Sequence, residues 1–296
     1  MGIDRDVMMR LRGTRFSAAV RKSPTVTYFA QRWWYRNQYD YFMSVCPTIG
    51  RPSGSGEDDS GPSQVDVPTL GEMVAKLPDL VIAGEKFSEE MAQWCRTSKF
   101  LSYTARPDSV GYQDIYARIL KSLRGRPIRM LEIGIGVNVG SSLNPTDMSS
   151  IYVEHGPGDS LAGWCGYLPD AEVHGADFDR RVLKDTDRYK THYVDQRDPA
   201  TLRELAGDLG GQFDLIVDDG LHTPEANVNV MAALLPMLKP HGMMTIEDIS
   251  PEFDSLWFAA AERLPSWYKL EHFPSAVLRQ FRGDRAATSI AVITRR

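Results

Sequence analysis

Six apolar runs recur through the C-terminal part of the chain: IRMLEIG (128–134), EVHGADFD (172–179), THYVD (191–195), FDLIVDD (213–219), GMMTIED (242–248) and SIAVITR (289–295). Runs of Val, Ile, Leu and Met without polar alternation suit strands buried on both faces, as in a parallel sheet covered by helices. The intervening segments carry helical spacing. PEANVNVMAALLPMLKP starts with Pro224 and Glu225, a proline-first helix entry, and is predicted to stop at Pro240. Upstream, GYQDIYARILKSLRGRP places Ile115, Tyr116, Ile119 and Leu120 at helical spacing before Gly125 and Pro127. The pattern predicts an α/β fold, a doubly wound and mostly parallel Rossmann-like sheet preceded by an N-terminal helical extension.

Four units follow from the pattern. Residues 1–49 form an aromatic-rich helical arm, 50–66 a flexible linker, 67–124 a helical lead-in or lid region, and 125–296 the ligand-binding catalytic domain. The linker is read from GRPSGSGEDDSGPSQ, which has no apolar residue with which to offset the entropy of ordering. The arm holds Tyr28, Phe29, Trp33, Trp34, Tyr35, Tyr39, Tyr41 and Phe42, too dense an aromatic patch to be left in water. Helix packing or a subunit contact covers it on one reading; on the other it is a lid whose rings stack on sugar rings or flat aglycones.

Composition narrows the partners. The chain of 296 residues has a formal net charge of −5, so it has no global basic field for a nucleic-acid backbone or an anionic membrane. No apolar run reaches the roughly 18–20 residues that span a bilayer, and the start lacks a signal-peptide core. The three cysteines, Cys46, Cys95 and Cys165, have neither zinc-type nor C-x-x-C spacing. A soluble cytoplasmic protein with reduced thiols is expected.

The strand ends carry the candidate chemistry. In LEIGIG the strand bearing Glu132 runs into Gly134 and Gly136, allowing a tight turn where open α/β sheets bind ligands. The next glycine is Gly140, a spacing that departs from the dinucleotide fingerprint and weakens a nicotinamide reading. The second strand ends at Asp177, a carboxylate able to accept both ribose hydroxyls of an adenosine, and the third at Asp195 and Gln196, able to bond an adenine edge. The fourth and fifth strands end in Asp218, Asp219, Glu247 and Asp248. Carboxylates on neighbouring strands repel unless a cation compensates them, and an oxygen-rich set suits Mg²⁺, or Mn²⁺ and Ca²⁺ less specifically. Asp219, Glu247 and Asp248 are the expected ligands, with Asp218 facing the cofactor. His222, three residues past Asp219, supplies an imidazole able to take a proton from a substrate hydroxyl.

These residues resemble the class I S-adenosylmethionine-dependent methyltransferases, most closely the metal-dependent branch that methylates sugar hydroxyls of macrolides and related natural products. The resemblance covers about residues 98–250 and rests on LEIGIG, GPGDSLAGWCGYLPDAEVHGADFD, YVDQRDP, VDDGLH and IEDI in combination. It implies S-adenosylmethionine and Mg²⁺ (or Mn²⁺) as cofactors. The metal ligands would be Asp219, Glu247 and Asp248, the general base His222, and the cofactor residues Glu132, Gly134, Gly136, Ser160, Asp177, Asp195, Gln196 and Asp218. The implied reaction is O-methylation of a hydroxylated small-molecule substrate of sugar or polyketide type, and the resemblance also implies a homo-oligomer. Methylation of a nitrogen or catechol on a small aromatic would use the same cofactor site. A nicotinamide-dependent oxidoreductase and a silent cofactor-binding protein are the readings of other classes. The long connection 137–158 is expected to shape the cofactor mouth.

Overall fold

The computed structural model describes residues 24–53, 67, 69, 71–72, 77–95, 100, 112–136, 157–275 and 288–296. The helices are α1 (Pro24–Val45), α2 (Leu77–Met91), α3 (Gln113–Ile119), α4 (Asp159–Tyr167), α5 (Pro199–Leu209), α6 (Pro224–Leu234) and α7 (Asp254–Arg263). The strands are β1 (Arg129–Ile133), β2 (Glu172–Asp177), β3 (Tyr189–Tyr193), β4 (Phe213–Asp218), β5 (Leu238–Ile249), β6 (Tyr268–Phe273) and β7 (Ser289–Arg295). They form one seven-stranded sheet in the order β3-β2-β1-β4-β5-β7-β6. The strands from β3 to β5 pair in parallel, while β7 runs antiparallel between β5 and β6.

Alternation along each strand divides the core in two. Leu131 and Ile133 of β1 and Met244 and Ile246 of β5 face one side, where Phe42, Met231, Trp257 and their neighbours pack. Met130 and Met243 face the other, with Phe87, Tyr116 and Trp164. All six residues of β4 are buried, as the uninterrupted apolar run requires of a central strand. Helix entries follow side-chain chemistry. Asp198 caps α5 by accepting from the Ala200 amide, Thr223 caps α6 by accepting from that of Ala226, and each helix has a proline in its first turn.

The structure differs from the sequence reading in three places. The helix expected to run to Pro240 ends at Leu234, and a 3-10 turn, Leu235–Met237, leads into β5. That strand therefore begins before Pro240, at a register shift between Phe213 and Leu215 where a missing amide is tolerated. Strand β6 went unpredicted because an antiparallel edge strand alternates in burial and leaves no continuous apolar run. The start of the expected linker is tied down: the Ser53 amide donates to the Pro236 carbonyl at 2.8 Å, the Ser53 carbonyl accepts from Gln212 and Arg295, and Tyr268 donates to the Gly50 carbonyl. Residues 54–66 of the linker lie outside the described residues.

The arm packs on the body. Tyr35 stacks on Phe253 with ring centroids 4.9 Å apart, Trp34 meets the same ring edge-on, and Phe42 packs edge-on against Trp257. These three rings pack against the α7 region. Burying a side chain of this size contributes roughly 1.5–3 kcal/mol. Trp33 stays 40% exposed, while the side chains of Tyr28 and Phe29 lie outside the described residues. Cys46, Cys95 and Cys165 are buried, and none is in a disulfide among the described residues. Among the described residues no helix is long and apolar enough to cross a membrane.

Candidate active site

The strand order reverses between β1 and β4, and a cavity of about 370 Å³ opens over the carboxyl ends of the parallel strands. This crevice is where open α/β sheets place ligands. Its lining includes Gly134, Gly136, Asp177, Phe178, Asp195, Gln196, Arg197, Asp219, His222 and Asp248. Part of the connection expected to shape its mouth, 137–156, lies outside the described residues.

One half of the cavity is built by backbone. Gly134 has φ +89°, and a Cβ there would sit 2.1 Å from the Asp219 carbonyl oxygen, so only glycine lets β1 and the β4 exit approach so closely. A Cβ on Gly136 would come within 2.8 Å of Val182 and 3.2 Å of the Asp177 carboxylate. The amides of Ile135 and Gly136 both donate to Asp177 Oδ2 at 3.0 Å, and that of Asp179 donates to Oδ1 at 2.9 Å. Burial raises the Asp177 pKa, and those three amides work against the rise. A carboxylate has about four lone-pair sites, so Asp177 keeps some accepting capacity towards the cavity. Asp195 forms a two-pronged pair with Arg197, whose hydrogen bonds hold its pKa below the ordinary value. Exposed Phe178 adds an aromatic face beside Arg197, whose guanidinium lies 6.0 Å from the ring centroid.

The other half is an acid and imidazole cluster. One ligand atom each from Asp219, His222 and Asp248 lies within 4.8 Å of the others. His222 Nε2 is 3.8 Å from Asp248 Oδ2, while the buried Nδ1 of His222 has no hydrogen-bond partner among the described residues. His222 and Asp248 both have positive φ, +54° and +50°, conformations that cost an L residue roughly 1–3 kcal/mol unless the surroundings impose them. A buried nitrogen without a partner beside two half-buried carboxylates is a donor set that a divalent cation fits.

Four expected site residues are turned away from the cavity. Glu132 precedes Ile133, and alternation sends it to the opposite face, where it accepts from Ser160 Oγ at 2.6 Å and Trp164 Nε1 at 3.1 Å. Glu132 and Ser160 thus tie β1 to α4. Asp218, fully buried, accepts from Gln196 Nε2 at 2.6 Å and Asn227 Nδ2 at 2.9 Å, and burial raises its pKa. It braces the floor instead of facing the cofactor. Glu247 shares a face of β5 with Thr245, and the Tyr116 hydroxyl contacts both. His222 takes its place in the cluster. Gln196 does line the cavity, yet its amide is engaged by Asp218 and by the Leu221 amide, which donates to Oε1 at 2.7 Å.

Residues that the sequence reading passed over complete the frame. Tyr112, at the entry to α3, bonds Asp248, and Gln38 of α1 accepts from the Glu225 amide at the start of α6 at 3.0 Å. Neither carries a sequence signal, because both act across more than 130 residues of chain.

Residues 137–249 match the model of a family described as a methyltransferase domain. The chain is 33% identical over 134 residues to demethylmacrocin O-methyltransferase of Streptomyces fradiae, covering 45% of this chain and 30% of that one. It is 30% identical over 142 residues to 8-demethyl-8-alpha-L-rhamnosyl tetracenomycin-C 2'-O-methyltransferase of Streptomyces olivaceus, covering 48% of this chain and 34% of the relative. The chain therefore spans about a third of the length of these curated relatives. Among solved structures, the MycE methyltransferase from the mycinamycin biosynthetic pathway, in complex with Mg, SAH and mycinamycin VI, is 28% identical. It aligns over 56% of this chain and 37% of its own, with a TM-score of 0.40.

Proposed function

We propose that this chain, whose residues 137–249 match a methyltransferase-domain family, is an S-adenosylmethionine-dependent O-methyltransferase acting on a hydroxyl of a sugar-bearing or polyketide-type small molecule. The observation that carries the reading is the convergence of Asp219, His222 and Asp248 at the mouth of a cavity whose other wall is the Gly134–Gly136 turn and Asp177. By its name, one curated relative is a 2'-O-methyltransferase of a rhamnosyl tetracenomycin, and another an O-methyltransferase of demethylmacrocin, which favours this substrate class over small aromatics.

The glycine turn leaves room for an adenosine-bearing cofactor. Asp177 and Asp195 offer carboxylate oxygens to its hydroxyls, and Phe178 offers a face to its base. Bound S-adenosylmethionine supplies an electrophilic methyl group, and a divalent cation, Mg²⁺ or Mn²⁺, lowers the pKa of a hydroxyl beside it. Asp219 and Asp248 would hold the cation, with His222 at its edge. The imidazole of His222 accepts the proton of the substrate hydroxyl, and the carboxylate of Asp248 steadies the charge that it then gains. Orientation by these fixed groups accounts for most of the acceleration.

The test uses glycosylated macrolide and polyketide acceptors, labelled S-adenosylmethionine and product mass spectrometry. Turnover is expected to vanish in EDTA and return with Mg²⁺ or Mn²⁺. His222→Ala is expected to lose roughly 10²-fold or more in turnover with cofactor affinity unchanged. Undiminished turnover in EDTA would eliminate the cation from the mechanism.

A further inference from the structure

Asp248 is held by groups that lie outside the methyltransferase-domain match. The Tyr112 hydroxyl, fully buried, donates to Asp248 Oδ1 at 2.9 Å and accepts from the Asp248 backbone amide, also at 2.9 Å. Thr288 Oγ1, 2.7 Å from the same hydroxyl, donates to Oδ1 at 3.0 Å. Both atoms through which a side chain could grip this residue's backbone and carboxylate are thus engaged from one phenol. Oδ1 is consumed inside the protein, leaving Oδ2 as the oxygen that faces His222. The grip also accounts for the positive φ of Asp248, because a strained conformation persists only where neighbours over-determine it.

We propose that Tyr112 is a positioning residue that locks Asp248 in its left-handed conformation and presents Oδ2 alone to the cation and to His222. The inference rests on the cation-assisted reading of the site and adds to it the residue that sets its geometry. The helix that follows Tyr112 also carries Tyr116, one turn on, against Glu247. Two tyrosines of the α3 region thus reach the adjacent acids of β5.

Tyr112→Phe keeps the ring in the core and removes only the hydroxyl. Mn²⁺ titration followed by electron paramagnetic resonance, on the full chain without substrate, reads the site directly. Tyr112→Phe is expected to raise the Mn²⁺ dissociation constant by about 10- to 100-fold, the usual cost of losing a residue that orients a metal ligand. Affinity for S-adenosylhomocysteine, measured by calorimetry, is expected to stay within twofold. A purely structural role would lower the melting temperature and leave the Mn²⁺ affinity where it was; Mn²⁺ binding within twofold of the unaltered chain overturns the proposal. If Tyr112→Phe does not fold, Thr288→Val removes the second hydroxyl from Oδ1 and is judged by the same titration. Asp219→Asn separates the two levels. If it loses the ion while Tyr112→Phe keeps it, the role of Tyr112 falls and the cation site stands. If the unaltered chain and Asp219→Asn bind Mn²⁺ alike, or neither binds it, both fall.

Discussion

The β1–β3 half of the cavity and the β4–β5 half are assembled in different ways. In the first, the carboxylate of Asp177 is held by amides at positions 135, 136 and 179, and Asp195 is paired with Arg197 two residues away. In the second, Asp248 is fixed by Tyr112 and Thr288, and the helix following His222 is fixed by Gln38. The half proposed to hold the cofactor is thus built by adjacent strand ends and their own turns. The acid and imidazole half borrows its rigidity from α1, the approach to α3 and the start of β7. A site divided in this way can keep cofactor recognition constant while its reacting half responds to changes elsewhere in the chain.

That contrast can be attacked from both sides. The largest effect is expected from Asp177→Ala, which removes a charged acceptor from three amides and from the cofactor hydroxyls. Charged hydrogen bonds contribute about 1.5–3 kcal/mol, so cofactor affinity by calorimetry should fall roughly 10- to 100-fold, with Mn²⁺ affinity unchanged. Equal losses of cofactor and Mn²⁺ would show that the halves are not separable. Gln38→Ala should act on the other half alone. It strips an acceptor from the Glu225 amide in the first turn of α6, at a cost of about 1 kcal/mol read from the denaturation midpoint. Turnover should drop severalfold while cofactor affinity holds; unchanged turnover would detach α1 from the reacting half.

The smallest effect lies away from the cavity, at His192 on β3. Burial first, and then His174, whose Nδ1 lies 3.0 Å from His192 Nε2, lowers its pKa below the ordinary 6.5. The unfolded chain therefore takes up this proton at higher pH than the folded one. Stability from the neutral His192 imidazole is complete above about 6.5 and declines as pH falls through the lowered folded value. Thermal unfolding of His192→Gln should show a shallower loss between neutral and mildly acidic pH than the unaltered chain. A slope as steep as that of the unaltered chain would remove His192 from the account.

Much of this architecture is legible in the sequence. Five of the six predicted strands pair in parallel in the expected open sheet, the sixth, Ser289–Arg295, joins antiparallel, and the Pro224 helix starts where predicted. Of the expected cofactor residues, Gly134, Gly136, Asp177, Asp195 and Gln196 reach the cavity, as do Asp219, His222 and Asp248. Glu132 follows strand alternation and Ser160 the start of α4, whereas the β5 acids depend on local backbone geometry. Spacing shows that a residue sits at a strand end but not which face its side chain takes where the backbone leaves ideal geometry. Glu247 and Asp248 are adjacent, and the positive φ of Asp248 decides which of them meets His222.

The sequence by itself determined the buried strands, the glycine turn at the end of β1 and the supply of acids and imidazole, because apolar run length, glycine's conformational freedom and side-chain chemistry are local properties. Only the tertiary structure decided that Glu132, Ser160 and Asp218 brace the site from outside the cavity, and that His222 stands in the cluster where Glu247 was expected. It also decided that a tyrosine 136 positions upstream holds Asp248. Those outcomes depend on which hydroxyls, amides and rings the packed helices bring to each face of the sheet, and partners so distant along the chain leave no periodic trace in it.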